Sequence, residues 1–357
     1  MKISIKTSEL KPILNKLAYV KGVANKQKSL FIRAYDKAEC LICDPISSIE
    51  IRMPLSADIK EKGNICIPYY LHKMIAAINE YSITISNNKI NYGDYVINYV
   101  PGNPDNFAIL DVADHEKTLL LSVSQEELYR LIKSTFYAVA QDETRPILTG
   151  LNINKNKVAA LDGYRLAVSE SEEFDIDNSI TLSEPTVKLL LKLLDKKSAD
   201  AVTFYITKKQ DFVIIQIDNI TVTAHLLDGA YIKYESIIPN EYLYKIEIDV
   251  KELLKKLKFM FELKKSVPEF VKLTVDRTKL YIENNNSSAD IKDSIGINVI
   301  EHGDLPFSIA FNPLYLRDAL RKYNVLATMQ FTTRISPAVI KANNDLDLVL
   351  PVRLEKE

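Results

Sequence analysis

The residues of this chain that could do chemistry are three cysteines, four histidines and two close pairs of aspartates. Cys40 and Cys43 form a C-x-x-C, a spacing found in zinc sites, but A-E-C-L-I-C-D alternates like a strand. In a strand, positions i and i+3 point to opposite faces, and no second Cys or His pair stands nearby. The sequence therefore predicts no metal site and no disulfide framework, and its few thiols fit a reducing compartment.

Paired carboxylates are the remaining catalytic candidates, because two of them can hold Mg²⁺ for phosphoryl transfer. The pairs are Asp175 with Asp177 in D-I-D, and Asp345 with Asp347 in D-L-D. Both stand in acidic or Asn-rich stretches with turn character, so we interpret them as solvated loops. A Mg-dependent phosphoryl-transfer enzyme acting on DNA stays open as an alternative.

Glycine is informative by its spacing. The nine glycines are never closer than seven positions apart, which excludes G-x-G-x-x-G, G-x-x-x-x-G-K and G-x-S-x-G. Dinucleotide loops, P-loops and nucleophile elbows are thereby absent from the sequence. Several common routes to catalysis are therefore closed before any fold is proposed.

The elements that must position these residues repeat three times along the chain. I-S-I-K-T-S-E-L from Ile3, L-S-V-S-Q-E-E-L from Leu121 and I-E-I-D-V-K-E-L from Ile246 each end a strand and reach Glu-Leu at the same offset. An amphipathic helix follows each time, and a weaker strand-to-helix set recurs about 60 residues later. Short alternating runs fill the rest. The pattern predicts an α+β protein of three similar domains, 1–118, 119–241 and 242–357, each with two helices and antiparallel sheets.

Charge is divided unevenly between these elements. The six predicted helices, 6–21, 68–81, 123–140, 184–197, 249–265 and 312–324, carry a formal charge of +10, whereas the remainder carries −11. Only 10 of the 46 basic residues are Arg, and Lys contacts phosphate as a point charge. This composition favours salt-sensitive contact with a nucleic-acid backbone over reading of bases.

Four short stretches of the sequence, together with the threefold repeat, resemble a known family. The threefold repeat, T-R-P-I-L-T-G-L from Thr144, A-L-D-G-Y-R-L-A from Ala160, L-L-D-G-A-Y-I-K-Y-E-S-I-I-P from Leu226 and L-V-L-P-V-R-L from Leu348 are similar to the bacterial sliding clamp. That family is the beta subunit of the replicative DNA polymerase. The resemblance covers essentially the whole chain.

The resemblance implies the DNA clamp fold and a closed, head-to-tail homodimeric ring around duplex DNA. Helices line the hole and sheets form the outer wall. The ring acts without sequence specificity and gives the polymerase processivity. It needs no chemistry, so the resemblance implies a protein that is not an enzyme and uses no cofactor. The residues it implies as DNA-facing are Lys11, Lys16, Lys21, Lys26, Lys188, Lys192, Lys251, Lys255, Lys258, Arg317 and Arg321.

The resemblance also implies a cleft between the second and third domains that takes short peptides from the polymerase alpha subunit, the clamp loader and repair factors. Its aliphatic wall would bury a partner's Leu and Phe, with Arg165 fixing the peptide's polar end. We call the following residues the peptide cleft: Leu148, Leu161, Gly163, Tyr164, Arg165, Leu166, Ile232, Ile237, Pro337, Leu348, Leu350, Pro351 and Val352.

The subunit interface is placed by the same resemblance at Phe107, Ile109 and Leu110 against Phe261 and Leu263. No signal peptide or membrane span is evident in the sequence, so we expect a cytoplasmic protein without a membrane partner. A repeat scaffold that binds only proteins stays open as a second alternative, although it would not require basic helices.

Overall fold

The computed structural model describes residues 1–17, 19, 29–44, 46–110, 112, 116–262, 270–286 and 289–353. Over these residues the chain forms six α-helices, which fall where the hydrophobic periodicity predicts them but are shorter at their ends. They are α1 (Thr7–Leu17), α2 (His72–Ala77), α3 (Gln125–Thr135), α4 (Glu184–Leu193), α5 (Val250–Glu262) and α6 (Pro313–Leu320).

The described strands are all short except one, and they pair antiparallel throughout the recorded ladders. They are β1 (Lys2–Lys6), β2 (Ser29–Ala34), β3 (Ala38–Asp44), β4 (Ile49–Leu55), β5 (Ala57–Glu61), β6 (Gly63–Pro68), β7 (Ser82–Ser86), β8 (Lys89–Tyr92), β9 (Tyr95–Asn98), β10 (Lys117–Ser124), β11 (Gly150–Asn154), β12 (Lys157–Leu161), β13 (Arg165–Glu170), β14 (Ile180–Ser183), β15 (Ala201–Thr207), β16 (Phe212–Ile217), β17 (Ile220–His225), β18 (Tyr244–Asp249), β19 (Val271–Val275), β20 (Lys279–Asn286), β21 (Ala289–Glu301), β22 (Phe307–Phe311), β23 (Leu326–Phe331), β24 (Ala338–Ala342) and β25 (Asp345–Val349).

The repeated Glu-Leu has a structural reason. Its three leucines, Leu10, Leu128 and Leu253, are each at most 1% exposed, so each first helix of a repeat presents the same position to its core. The polar residue just before α3 and α5 caps the helix: Ser124 accepts from the N–H of Glu127, and Asp249 accepts from that of Glu252.

The chain divides into two compact units. Unit 1 is Met1–Tyr129 with Leu182–Asp228, and unit 2 is Arg130–Thr181 with Gly229–Glu357. The middle third of the chain is shared between them because its strands join two different sheets. The division into three domains at 1–118, 119–241 and 242–357 stays a prediction.

Unit 1 holds two sheets. One has five strands in the order β5-β1-β7-β8-β9, and the other has eight in the order β10-β15-β16-β17-β4-β3-β2-β6. In the second, β17 pairs with β4, so strands from distant parts of the chain form one continuous ladder. Helices α1 and α2 pack together in this unit.

Unit 2 is built on a sheet in the order β14-β11-β12-β13-β25-β24-β23-β18-β21-β20-β19-β22. Its larger apolar core lies beneath α5 and α6 and includes Leu253, Leu257, Leu316 and Leu320. A second, smaller core surrounds the hairpin of β12 and β13, and this is where the predicted peptide cleft falls.

Candidate functional site

The hairpin A-L-D-G-Y-R-L-A joins β12 to β13 through a loop of three residues. Gly163 has a φ of +90°, in the region that favours glycine. Asp162 accepts hydrogen bonds on its carboxylate from the N–H groups of Tyr164 (2.9 Å) and Arg165 (3.1 Å). The sequence predicts a two-residue type I′ turn at Asp162-Gly163, and this is wrong, because such a turn needs a positive φ at both residues and Asp162 does not have one. The backbone N–H of Asp162 donates to the carbonyl of Arg165 at 3.2 Å.

The C-terminal strand β25 lies directly beside this hairpin. Arg165 stands opposite Val349 and Leu166 opposite Leu348 in the ladder between β13 and β25. Just beyond the ladder, the N–H of Leu350 donates a 2.9 Å hydrogen bond to the carbonyl of Tyr164. The two stretches that the resemblance assigns to one cleft are therefore neighbours in one sheet of unit 2.

The residues of the predicted cleft divide into a buried layer and an exposed layer. Four aliphatic side chains, Leu148, Leu161, Leu166 and Leu348, belong to the smaller core and are at most 4% exposed. Half-buried are Arg165, Pro337, Pro351 and Val352, and exposed are Gly163, Tyr164, Ile232, Ile237 and Leu350. The exposed apolar members, with Tyr164 at 60%, Ile237 at 45% and Leu350 at 37%, are the ones that a partner could contact.

The Arg165 side chain contacts two carboxylates and two aromatic rings. Its Nε lies 3.0 Å from Asp162 and its Nη1 lies 2.9 Å from Asp318 of α6. The guanidinium carbon lies 4.6 Å from the centre of the Tyr315 ring and 5.3 Å from that of Tyr137. Such cation–π contacts are strongest when the cation is shielded from water, and this side chain is 13% exposed.

Sequence reasoning missed Tyr315, Tyr137 and Asp318. The Tyr315 ring stacks on Tyr164 with centroids 5.8 Å apart, so it extends the aromatic surface of the hairpin. The only local signal is the spacing of Tyr315 and Asp318 on α6, which puts both on one helix face. Nothing in the sequence connects that face to the hairpin.

A network of buried charged and hydroxyl groups surrounds Asp347 on β25, the strand that pairs with β13 of the hairpin. Asp347 is fully buried on β25, accepts hydrogen bonds from the hydroxyls of Tyr137 and Tyr323, and lies 2.9 Å from the Lys322 ammonium. Burial raises the pKa of Asp347, and it also raises the pKa of both tyrosines, which keeps their hydroxyls protonated as donors.

The interpretation of D-L-D as a solvated loop is therefore wrong for Asp345 and Asp347. Both lie on β25, and Asp345 is 3.6 Å from Arg130 and 3.8 Å from Lys322. The Asn-rich turn before β25 makes this part of the sequence read as a solvated loop. Pairing of β25 with its neighbouring strands instead removes most of both aspartate side chains from water. Two cations already occupy the position that a Mg²⁺ ion would need.

The remaining candidates for catalysis or metal binding are the D-I-D aspartates and the C-x-x-C cysteines, and they lie away from the charge network around Asp347. Asp175 and Asp177 are exposed residues outside helices and strands, as predicted. Cys40 and Cys43 are buried on β3, and burial raises the pKa of both thiols, for Cys43 to about 12. Over the described ranges, no three His, Cys, Asp or Glu residues come together as a metal site. None of the described helices is long and apolar enough to cross a membrane.

In unit 1 the predicted DNA-facing lysines lie on α1 and α4. Lys192 is exposed and its ammonium lies 5.8 Å from the centre of the ring of Tyr19, a residue just beyond α1. Lys188 is exposed and pairs with Glu184 at 2.7 Å. Lys11 and Lys16 are half-buried along α1, while Lys21 and Lys26 lie outside the described residues.

In unit 2 the predicted DNA-facing residues lie on α5 and α6, which pack against each other. Lys251, Lys255 and Lys258 are exposed at successive turns of α5. The side chain of Arg321, the residue that follows α6, is 61% exposed, whereas that of Arg317 on α6 is 26% exposed and contacts Asp318. Each unit therefore carries exposed basic residues on its helices, and in unit 2 the two helices that carry them pack together.

The predicted subunit-interface residues of unit 1 make contacts inside that unit. Phe107 and Ile109 pack on the small core around Phe31, and the Phe31 and Phe107 rings stack with centroids 4.8 Å apart. The N–H of Leu110 donates to Glu50 at 2.9 Å. On the other side of the predicted interface, the Phe261 side chain and Leu263 lie outside the described residues.

Known proteins match this chain over most of its length. The model of the DNA polymerase III beta subunit central domain matches residues 122–233, and that of its C-terminal domain matches residues 235–353. Proteins named beta sliding clamp from Staphylococcus aureus and Staphylococcus epidermidis are 26% and 25% identical over 330 residues, which is 86% of this chain and 86% of each relative.

Solved structures share the fold. The DNA polymerase sliding clamp of Bacillus subtilis superposes with a TM-score of 0.87 at 22% identity, and the DNA polymerase III beta subunit of Pseudomonas aeruginosa with 0.88 at 20% identity. Both alignments cover 99% of this chain and 100% of the other. With two models of one family together matching more than half of its residues, the chain belongs to the DNA polymerase III beta subunits, the bacterial beta sliding clamps.

Proposed function

We propose that this chain forms a ring that encircles duplex DNA without sequence specificity and tethers the replicative polymerase for processive synthesis. The observation that carries the proposal is the row of exposed lysines on two helices, α4 in unit 1 and α5 in unit 2. Lysines held at helical spacing contact phosphates as point charges, often across water, so they hold DNA without fixing its register.

The family is a non-catalytic processivity factor, and a clamp needs no reacting group. The Asp345 and Asp347 carboxylates, the best candidates for a metal-dependent enzyme, already face Lys322 and Arg130. A protein-only scaffold has no use for the basic helix surfaces. We infer also that the protein acts in the cytoplasm, where we expect the DNA that it encircles to be replicated.

We infer that partner peptides bind across the exposed layer of the peptide cleft. Tyr164, Ile237 and Leu350 offer apolar surface above a packed aliphatic core. Burial of a partner's Leu or Phe there is favourable by about 25 cal/mol per Å². The polymerase alpha subunit and the clamp loader are the partners we expect.

We infer further that a head-to-tail homodimer closes the ring through strand edges. Strand β9 ends the five-stranded sheet of unit 1 and exposes Tyr95 and Val96, at 66% and 53%. In unit 2, residues 289–296 of β21 pair with β20, and no described strand lies on their other side. Unpaired strand edges are where sheets join, and two different edges make a head-to-tail contact that can close.

Retention on circular DNA tests the ring. The chain, loaded by its clamp loader onto a nicked circle, should stay bound through a salt wash and be lost once the circle is cut. A nuclease or polymerase would instead change the DNA in the presence of Mg²⁺. Equal retention on circular and linear DNA would contradict a topological link.

A further inference from the structure

Asp318 on α6 stands between arginines from two different surfaces of unit 2. Its Oδ2 accepts from Arg165 of the cleft hairpin at 2.9 Å. Its Oδ1 lies 3.2 Å from Arg317 and 3.6 Å from Arg321, residues proposed to face DNA. One carboxylate is therefore shared between the peptide cleft and the basic surface.

The contact with Arg165 is the better shielded of these. The side chains of Arg165 and Asp318 are 13% and 23% exposed, whereas Arg321 is 61% exposed. Charge-assisted hydrogen bonds in shielded positions are stronger than pairs in water, which are worth little. The carboxylate therefore holds Arg165 firmly and Arg321 weakly.

Arg165 in turn sets the shape of the hairpin. Its guanidinium lies against the Tyr137 and Tyr315 rings and also donates to Asp162, whose carboxylate accepts from two N–H groups of the turn. Tyr164 follows that turn and lies on Tyr315. Moving the Arg165 guanidinium would release both the turn and the exposed tyrosine.

We propose that Asp318 is a positioning residue of the peptide cleft, and that neutralising Arg321 strengthens its hold on Arg165 and so increases the affinity of the cleft for peptides. The inference rests on the proposed function, in which the hairpin contacts partner peptides and Arg321 faces DNA. Arg321 and Arg165 approach the same carboxylate and repel each other, so a phosphate bound to Arg321 offsets that repulsion and favours the contact between Arg165 and Asp318. By thermodynamic reciprocity, bound peptide favours bound DNA to the same extent.

The test is fluorescence anisotropy of a labelled synthetic peptide ending in Leu-Phe, titrated with the full chain and its variants. Asp318→Asn should weaken peptide binding about tenfold, because it removes one charge-assisted bond. Asp318→Glu should recover part of that loss. Arg321→Gln should strengthen binding about twofold, but not when combined with Asp318→Asn. Asp304→Asn, an exposed carboxylate elsewhere in unit 2, is the matched control and should have no effect.

A short linear duplex at low salt provides the second arm. It should raise the peptide affinity of the wild type and leave that of Arg321→Gln unchanged. Urea unfolding of each variant separates a loss of positioning from a loss of folding, since Asp318→Asn should still unfold in one cooperative transition and be fully folded without urea, as Asp304→Asn is.

Each failure has its own meaning. If the wild type does not bind the peptide, the proposed cleft is wrong. If it binds, but Asp318→Asn binds equally well, Asp318 does not position the hairpin. An Arg321→Gln variant that binds peptide no better than the wild type, or a duplex effect that survives in it, overturns the shared-carboxylate coupling.

Discussion

The N–H of Leu350 donates a 2.9 Å hydrogen bond to the carbonyl oxygen of Tyr164. This bond continues the ladder between β13 and β25 past its last side-chain pair, Arg165 with Val349. It fixes an exposed aromatic residue and an exposed aliphatic residue next to each other. The cleft is consequently one surface, contributed by parts of the chain that are nearly two hundred positions apart.

Leu350→Glu tests this surface. A carboxylate placed among the apolar side chains of the cleft should lower peptide affinity by at least about thirtyfold, because it removes a buried contact and adds a charge to be desolvated. Isothermal titration with a Leu-Phe peptide measures the change. Ile300→Glu, at 46% exposure on β21, is the control and should bind normally. Leu166 is unsuitable for this purpose, since it is fully buried and a charge there would unfold the core.

Changing Lys188, Lys192 and Lys255 together to Glu tests the basic helices. If each contacts one phosphate, the slope of log affinity against log salt should become shallower by about 0.9 per lysine. Binding to a linear duplex across a salt series gives that slope. The control carries the same charge change at Lys60, Lys62 and Lys208, which are exposed outside the helices. Equal slopes in the two triple variants would mean that net charge, not the helix surface, governs binding.

Val96→Asp tests the strand edge. A carboxylate on β9 should oppose pairing of this apolar edge, so light scattering should show one chain where the wild type shows two. Ile46→Asp changes a more exposed residue, at 74%, in a turn of the same unit, and should leave the dimer intact. A dimeric Val96→Asp protein would place the interface elsewhere.

Asp347 should make stability depend on pH in a particular direction. Its folded-state pKa is raised above the ordinary 3.8, so the folded chain binds this proton more tightly than the unfolded chain. The stabilisation from this group is fully present below 3.8 and is lost as the pH rises through the raised pKa. The groups that face it are Lys322, Tyr137, Tyr323 and, through Lys322, Asp345.

Asp347→Asn removes that titration. The free energy of unfolding of the wild type, relative to this variant, should fall as the pH is raised from below 3.8, as measured by urea titration at each pH. Asp304→Asn should show no such trend. A difference that stays constant or grows with pH would contradict a raised pKa for Asp347.

The sequence by itself determined where the helices fall and which chemistries are excluded. Helix positions follow from the local spacing of apolar residues and from caps such as Ser124 and Asp249, so no distant contact is needed to predict them. The glycine spacing likewise excludes nucleotide-binding loops without reference to a fold. The family resemblance, carried by short motifs, was then confirmed by the matching family models.

Only the tertiary structure decided what the polar residues do. D-L-D has the same local pattern as a solvated loop, yet Asp347 is buried because β25 pairs between β13 and β24 and brings Lys322, Tyr137 and Tyr323 around it. The bond between Arg165 and Asp318 joins residues 153 positions apart. Burial and partner choice are properties of pairing between distant strands and helices, which local periodicity does not encode.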